Sequence, residues 1–357
     1  MTQSTKTALW RRTIRLCTVT AVVTTLTACA GPQGTVGNAL VYRPGLQGLA
    51  AIPLPERDLP TAVAEPYFKV GEGGNMALEG PAFDRQGNLY FLDIYAGRVL
   101  RLTPDRQLTT VYSEKDLHPA GLAIHKDGRI FVAGLGPIGV NGTFEAGTVI
   151  ALDSNGGNRQ VIVPPASKYL ADDLTFDSAG GIYFTDFRGT STQPDGGVYY
   201  VPPSTQSVSV VIPKLGAANG VAVSPDGKVL WASEFATGRI HRADMASPGV
   251  VGRWGTSIPY QFIGRAPDSM RTDADGNLYV AAYHQGRLLV LSPGGVPIGQ
   301  ILVPGREDDK FLKVTSMAFI PGTNEMVILA RDELKKTGAM IFKARGFAKG
   351  PTLYSHQ

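Results

Sequence analysis

The sequence predicts an all-β protein, a six-bladed β-propeller with four antiparallel strands per blade and almost no α-helix. Three observations support this. An apolar strand, a Gly-containing turn and a second apolar strand recur as a unit six times, at intervals of 41 to 52 residues. The turns are residues 84–87, 125–128, 177–180, 224–227, 273–276 and, in degenerate form, 320–323. A second tight turn follows each pair of strands at constant phase, around Gly97, Gly147, Gly197, Gly238, Gly286 and Gly338. Gly at such turns supplies the positive φ that short hairpins need. The composition agrees: Gly 43 and Pro 25 of 357 residues suit a turn-rich chain, and 43% hydrophobic against 18% charged residues provides a sizeable core. A repeat of about 40–50 residues holding four strands is a propeller blade. A pair of β-sandwiches would not explain the near-equal spacing.

The chain begins with a different kind of segment. Lys6 and Arg11 to Arg15 form a positive region, Leu16 to Leu26 a mildly apolar one, and Leu26-Thr27-Ala28-Cys29 ends it. This is too short and too rich in Thr to span a bilayer. The ending resembles the bacterial lipobox, in which the cysteine becomes the lipidated first residue. Residues 1–28 therefore read as a lipoprotein signal peptide. Residues 29–65 read as a lipid-anchored linker, low in periodicity and carrying Pro32, Pro44, Pro53, Pro55 and Pro60, and residues 66–357 as the propeller domain. Arg11-Arg12 followed by Ile14 leaves twin-arginine export open beside the general secretory route. No acidic residue follows Cys29, which points to the periplasmic side of the outer membrane in a bacterial cell envelope. The two cysteines, Cys17 and Cys29, both lie in this segment, so the propeller has no disulfide framework.

The blades follow in order. Tyr67-Phe68-Lys69-Val70 precedes the first full copy and is expected to supply the outer strand of the last blade, closing the ring and removing free edges. In the first copy Ala82-Phe83 leads to the turn, Leu89 to Leu92 forms the next strand, Val99 to Leu102 the third, and Thr109 to Tyr112 the fourth. The other copies repeat this plan.

Several motifs fail for want of context. Gly134-Leu135-Gly136-Pro137-Ile138-Gly139 matches a dinucleotide fingerprint, but Pro137 and a following strand leave no helix to open there. Asp273 to Asn277 resembles the start of a calcium-binding helix–loop–helix, yet position twelve is His284 rather than Glu. No G-x-S-x-G sequence occurs, and His118, His125, His241, His284 and His356 have no metal-binding spacing. A formal net charge of +4, with no basic stripe, argues against nucleic acid. Asp93, Asp186 and Glu234 end the second strands of their copies, each with an arginine (Arg98, Arg188, Arg239) shortly after, and read as local ion pairs that pin hairpins.

One constellation holds. Eight residues before the end of each turn stand Glu79, Ala120, Asp172, Asn219, Asp268 and Thr315. If the copies are related by rotation, these side chains stand at one height around the axis, on the innermost strands. Three carboxylates and an amide converging there would repel without a cation. The all-oxygen set describes a site for a hard divalent ion, with calcium favoured.

At these residues the chain resembles the senescence-marker-protein/gluconolactonase/luciferin-regenerating family, and within it the drug-responsive lactonase type of staphylococci. The similarity covers about residues 65–350. Its most specific stretches are Asp172 to Gly189, Gly196 to Val201, Ala218-Asn219-Gly220, Pro267-Asp268-Ser269, Ile298 to Leu302 and Gly346 to Gly350. The resemblance implies a calcium ion held by Glu79, Asp172, Asn219, Asp268 and Ser269, and hydrolysis of a lactone with Asp268 as the acid/base residue. Two departures matter. Pro164 stands where the staphylococcal type has an acid supporting a second calcium, so one ion is expected. Leu170 replaces the arginine of sugar-lactone members, which favours a more apolar ring. Tyr95, Phe187, Tyr260 and Tyr283 are candidate pocket walls. The expected enzyme is a monomeric, metal-dependent carboxylic ester hydrolase. The alternatives are an organophosphate hydrolase on the same ring and a non-enzymatic, envelope-tethered binding propeller.

Overall fold

Six sheets of four antiparallel strands radiate from a common axis in the computed structural model, which describes residues 48, 50–72, 75–205, 207–264 and 267–357. Contacts divide the chain into two units, Met1–Tyr42 and Arg43–Gln357. The first lies wholly outside the described residues, as do Cys29 and the first part of the expected linker. Among the described residues every helical turn is a three-residue 3-10 segment.

Blades 1 to 5 begin with the innermost strands Leu78–Phe83, Pro119–Ile124, Ala171–Phe176, Ala218–Val223 and Pro267–Thr272, and blade 6 with Lys313–Phe319. Each innermost strand packs on those of the two adjacent blades, which closes the ring. The second strands, such as Leu89–Asp93 and Leu278–Ala282, are buried along their whole length. Both faces of a blade are covered by neighbours, so these strands read as continuous apolar runs instead of alternating ones. The core is accordingly a set of layers between blades. Phe91 and Leu100 of blade 1 meet Leu329 and Ile341 of blade 6. Tyr279 and Leu288 of blade 5 meet Met317, Ile328 and Phe342 of blade 6. Each such side chain contributes about 1.5–3 kcal/mol when fully buried.

The closing strand is the expected one. Glu65–Gly71 pairs antiparallel with Gly338–Arg345, placing Phe68 opposite Ile341, and completes blade 6. Part of the stretch expected as linker, residues 29–65, also joins a sheet. Thr61–Val63 adds a fifth, parallel strand to the outer strand Pro297–Leu302 of blade 5. Before it, the 3-10 turn Leu54–Glu56 buries Glu56 against Arg287, whose guanidinium also takes Gln300 Oε1 at 2.8 Å and Gln285 Oε1 at 2.8 Å. Arg287 is 1% exposed and Glu56 5%. Removing one partner leaves a buried charge unpaired, at a cost of about 3–5 kcal/mol. Glu56→Ala is therefore expected to lower the urea midpoint by that equivalent with an unchanged m-value. An unchanged midpoint would mean that residues 54–63 are not part of the folded unit.

All six innermost strands share one irregularity. Pairing with the second strand slips between Glu79 and Ala82, Ala171 and Leu174, Ala218 and Val221, and Pro267 and Met270. In blades 2 and 6 the slip is shorter, between Pro119 and Gly121 and between Val314 and Ser316. A bulge of this kind re-aims side chains out of the alternating pattern. The four wider slips fall where the three acids and the amide stand.

Candidate metal centre

Glu79, Asp172, Asn219 and Asp268 sit at the bulges of blades 1, 3, 4 and 5, and all four are buried. Ser269, beside Asp268, is 1% exposed. Ala120 and Thr315 complete the circle; Thr315 spends its hydroxyl on the Leu78 carbonyl at 2.6 Å, tying blade 6 to blade 1.

The backbone around this circle is fixed by hydroxyls and by close approach. Thr185 Oγ1 accepts from the Asp173 N–H at 2.9 Å and donates to the Asn219 carbonyl. Ser233 Oγ accepts from the Gly220 N–H at 2.7 Å and donates to the Asp268 carbonyl at 3.0 Å. Each hydroxyl thus stitches one bulge to the next. Gly121 and Gly220 allow the blades to approach: a Cβ there would lie 2.3 Å from the Asp172 carbonyl oxygen and 2.6 Å from that of Asp268.

The electrostatics show what converges. Burial pushes the Glu79 carboxyl well above the ordinary range, and Asp268, Asp172 and Asp173 push it further, offset in part by the Gly80 N–H. Asp172 is raised by burial and then by Asp268 and Asp173. Asp268 is raised chiefly by burial; a hydrogen bond from Asn219 opposes this, Asp173 adds to it, and the Ser269 N–H and Arg331 hold it back. Asn219 gives its amide N–H to Asp268, and its buried Oδ1 has no hydrogen-bond partner. Beneath the circle Asp173 is ion-paired with Arg271 at 3.0 Å, across the intervening blade 4. With all four carboxylates ionised, two guanidiniums would leave two negative charges, the complement of one divalent cation.

Among the described residues no group of three or more His, Cys, Asp or Glu side chains forms a ready-made metal cluster. The three acids feel one another without touching, and the fourth oxygen belongs to an amide. An unpartnered, buried amide oxygen facing uncompensated acids fits a hard cation, since all available donors are oxygen.

A second series lies one residue beyond the second strands of blades 1 to 5, at Ile94, Leu135, Phe187, Phe235 and Tyr283; in blade 6 Arg331 falls at the same 48-residue spacing that separates Phe187, Phe235 and Tyr283, within the strand Glu325–Asp332. Its members meet in sequence: Phe187 and Phe235 rings 5.7 Å apart, Phe235 and Tyr283 5.8 Å, then Arg331 Nη2 to the Tyr283 hydroxyl at 3.3 Å and the Arg331 guanidinium 5.5 Å over Tyr95. Burial raises the Tyr283 hydroxyl, Arg331 holds it back, and Asp268 adds to the rise. Tyr95, Phe187 and Tyr283, expected as pocket walls, thus lie along one arc. Tyr260 is not. It lies on the outer strand Val250–Gln261 of blade 4, where its hydroxyl is bound by Glu56. Phe235 and Arg331 were not singled out by the sequence, although the repeat spacing of 48 residues from Phe187 to Phe235 to Tyr283 to Arg331 carries them. His118 is buried, with Nδ1 2.8 Å from the Gly136 carbonyl and its ring 5.2 Å from Phe144. Of the expected local ion pairs, Asp93–Arg98 and Asp186–Arg188 form, each at 2.7 Å. Glu234 pairs instead with His241, at 3.0 Å.

The family described as SMP-30/Gluconolactonase/LRE-like region matches residues 78–330. The chain is 45% identical over 320 residues to Lactonase drp35 of Staphylococcus saprophyticus, covering 88% of this chain and 97% of that protein. It is 43% identical to Lactonase drp35 of Staphylococcus aureus, covering 86% and 95%. Among solved structures, the calcium-binding protein regucalcin from Agrobacterium tumefaciens aligns with a TM-score of 0.65 at 17% identity, over 82% of this chain and 98% of that one. The luciferin-regenerating enzyme aligns with a TM-score of 0.64 at 19% identity, over 81% and 99%. At these identities the solved structures share the fold.

Proposed function

The chain belongs to the SMP-30/gluconolactonase/LRE-like family, and we propose that within it the protein is a lactonase, a hydrolase of cyclic carboxylic esters that depends on a divalent cation, calcium foremost. The observation that carries the cation is the buried Asn219 Oδ1, left without a partner among acids whose charges nothing on the protein fully balances. The lactone reading rests on extensive identity with the two staphylococcal lactonases.

Glu79, Asp172, Asn219 and Asp268 would hold the ion, with Ser269 beside them. When bound, a divalent cation supplies Lewis-acid polarisation of a carbonyl oxygen. The rest of the chemistry belongs to the chain. Asp268 is the acid/base group: its carboxyl, raised by burial, takes a proton from the attacking water and returns it to the departing ring oxygen. Asn219 orients that carboxyl through its amide N–H. Phe187, Phe235, Tyr283 and Tyr95 give the lactone an apolar seat and exclude water from the acids.

The substrate ring is a non-sugar one, because an aromatic arc offers a polyol few hydrogen bonds and Leu170 is apolar. Dihydrocoumarin is expected to be turned over with a kcat/KM about 100-fold above that of gluconolactone. Assaying both together with an aryl phosphotriester tests this. A preference for gluconolactone or for the phosphotriester would overturn the substrate class. In the cell we place the enzyme in the bacterial envelope, tethered through a lipidated Cys29; labelling with a radioactive fatty acid that survives Cys29→Ser would remove the tether.

A further inference from the structure

The innermost strands start at the acids and end at a second opening, on the opposite side of the ring. There they enclose a cavity of about 520 Å³, within the range of small-molecule sites, about 300–1,000 Å³. Its wall takes one side chain from each blade: Phe83, Ile124, Phe176, Val223, Arg271 and Phe319. The C-terminal residues 349–357 cross this opening and form its remaining side. They are fastened at several points. Ala274 N–H donates to the Lys349 carbonyl at 2.8 Å, and Gly350 N–H to the Thr323 carbonyl at 2.9 Å. The Tyr354 ring lies edge-on to His125 at 4.9 Å, and Arg85 donates to the Gln357 carbonyl oxygen at 2.7 Å. The tail is thus a fixed part of the wall.

Five of these six are apolar and Arg271 is the exception; Asp177, Lys349 and His356 also line the cavity. Its Nη1 donates to Asp173 Oδ2 at 3.0 Å and to the Met270 carbonyl at 2.6 Å, and Nη2 reaches Asp173 Oδ1 at 3.4 Å. Asp173 therefore occupies the end-on edge of the guanidinium. The side edge, through Nε, carries no hydrogen bond among the described residues. A planar fork of this kind is completed by a carboxylate in bidentate geometry. The charge that fits is a single one, because Asp173 and the acids above it oppose any further negative charge.

We propose that this lower cavity is a second binding site, distinct from the candidate metal centre, for a small amphipathic monocarboxylate. Its acid group takes the open edge of Arg271, and its apolar body lies along the wall between Phe83 and Phe319. The cavity needs no cation and no catalysis to bind, so its test is independent of the lactonase reading.

Octanoate is the probe, titrated calorimetrically into the full-length protein with octanol and acetate as controls. Octanol keeps the apolar body without the charge, and acetate the charge without the body. One octanoate is expected to bind per chain, at least about tenfold more tightly than either control, with and without a chelator present. Arg271→Lys keeps a cation beside Asp173 but loses the fork, and Ala318→Leu adds bulk at Ala318, which also lines the cavity; each should weaken octanoate at least tenfold. Octanol binding as well as octanoate would overturn the role of Arg271. Binding that disappears with the chelator would assign the acid to the metal centre and overturn the site. Should Ala318→Leu fail to fold, Arg271→Lys and the two controls still decide.

Discussion

Asp268→Asn is expected to lower lactone hydrolysis by about 10²- to 10⁴-fold, the contribution usual for a positioned acid/base group, while leaving the propeller folded. The substitution is nearly isosteric. The amide oxygen can still accept from Asn219, which now donates to the carboxylate, and from the Ser269 N–H. What disappears is a group able to take a proton and return it. The fold should not suffer, because the variant also removes one of the mutually repelling acids that burial has pushed up. The loss should fall on kcat with KM little changed, because the aromatic arc that seats the ring is untouched. Steady-state kinetics and a thermal melt of the same preparation check both halves. A variant with undiminished kcat would take the acid/base role away from Asp268, and a variant that unfolds would show the carboxylate to be structural.

Chelation is expected to abolish turnover, and added calcium to restore it. The companion effect is on stability. An ion at 1,000 times its dissociation constant adds about 4 kcal/mol to the folded state. It should also reverse the pH dependence. In the ion-free protein Glu79, Asp172 and Asp268 have folded-state values above the ordinary carboxylate range. The native state then binds more protons than the unfolded chain in the window from that ordinary range up to the raised values. Stability from these groups is therefore complete below the window and is lost as pH rises through it. With the cation bound the same carboxylates are held ionised, and acid strips the ion, so stability should rise with pH instead. Melting curves from pH 4 to 8, with chelator and with calcium, measure the two slopes. Parallel slopes would mean that the acids do not share an ion.

Much of this architecture was legible in the sequence because it repeats. Equal spacing of Gly-bearing turns identified blades, and constant phase within them brought Glu79, Asp172, Asn219 and Asp268 to one circle. The bulges were harder to read, since a slip in pairing depends on the partner strand. Their trace is a pair of adjacent polar residues, as at Asp172-Asp173 and Asp268-Ser269, all four buried. The aromatic arc was half legible. Residue type alone marks Tyr260, which the long hairpin of blade 4 carries to the outside. The 48-residue spacing from Phe187 carries Phe235 and Arg331 as well. Glu56 was out of reach: its partner Arg287 is 231 residues away, and nothing periodic marks the segment around it.

The strand that completes blade 6 comes from the opposite end of the chain to the hairpin it joins. During synthesis five blades can pair as they emerge, but the sixth must wait with an unsatisfied edge until its last hairpin is made. Assembly therefore finishes by uniting a segment made before the first blade with the last hairpin of the sixth, a non-local step of the kind that slows folding. Until that moment the nascent ring is an open arc, and any helper that shields bare edges would act on the strand from Glu65 to Gly71 first.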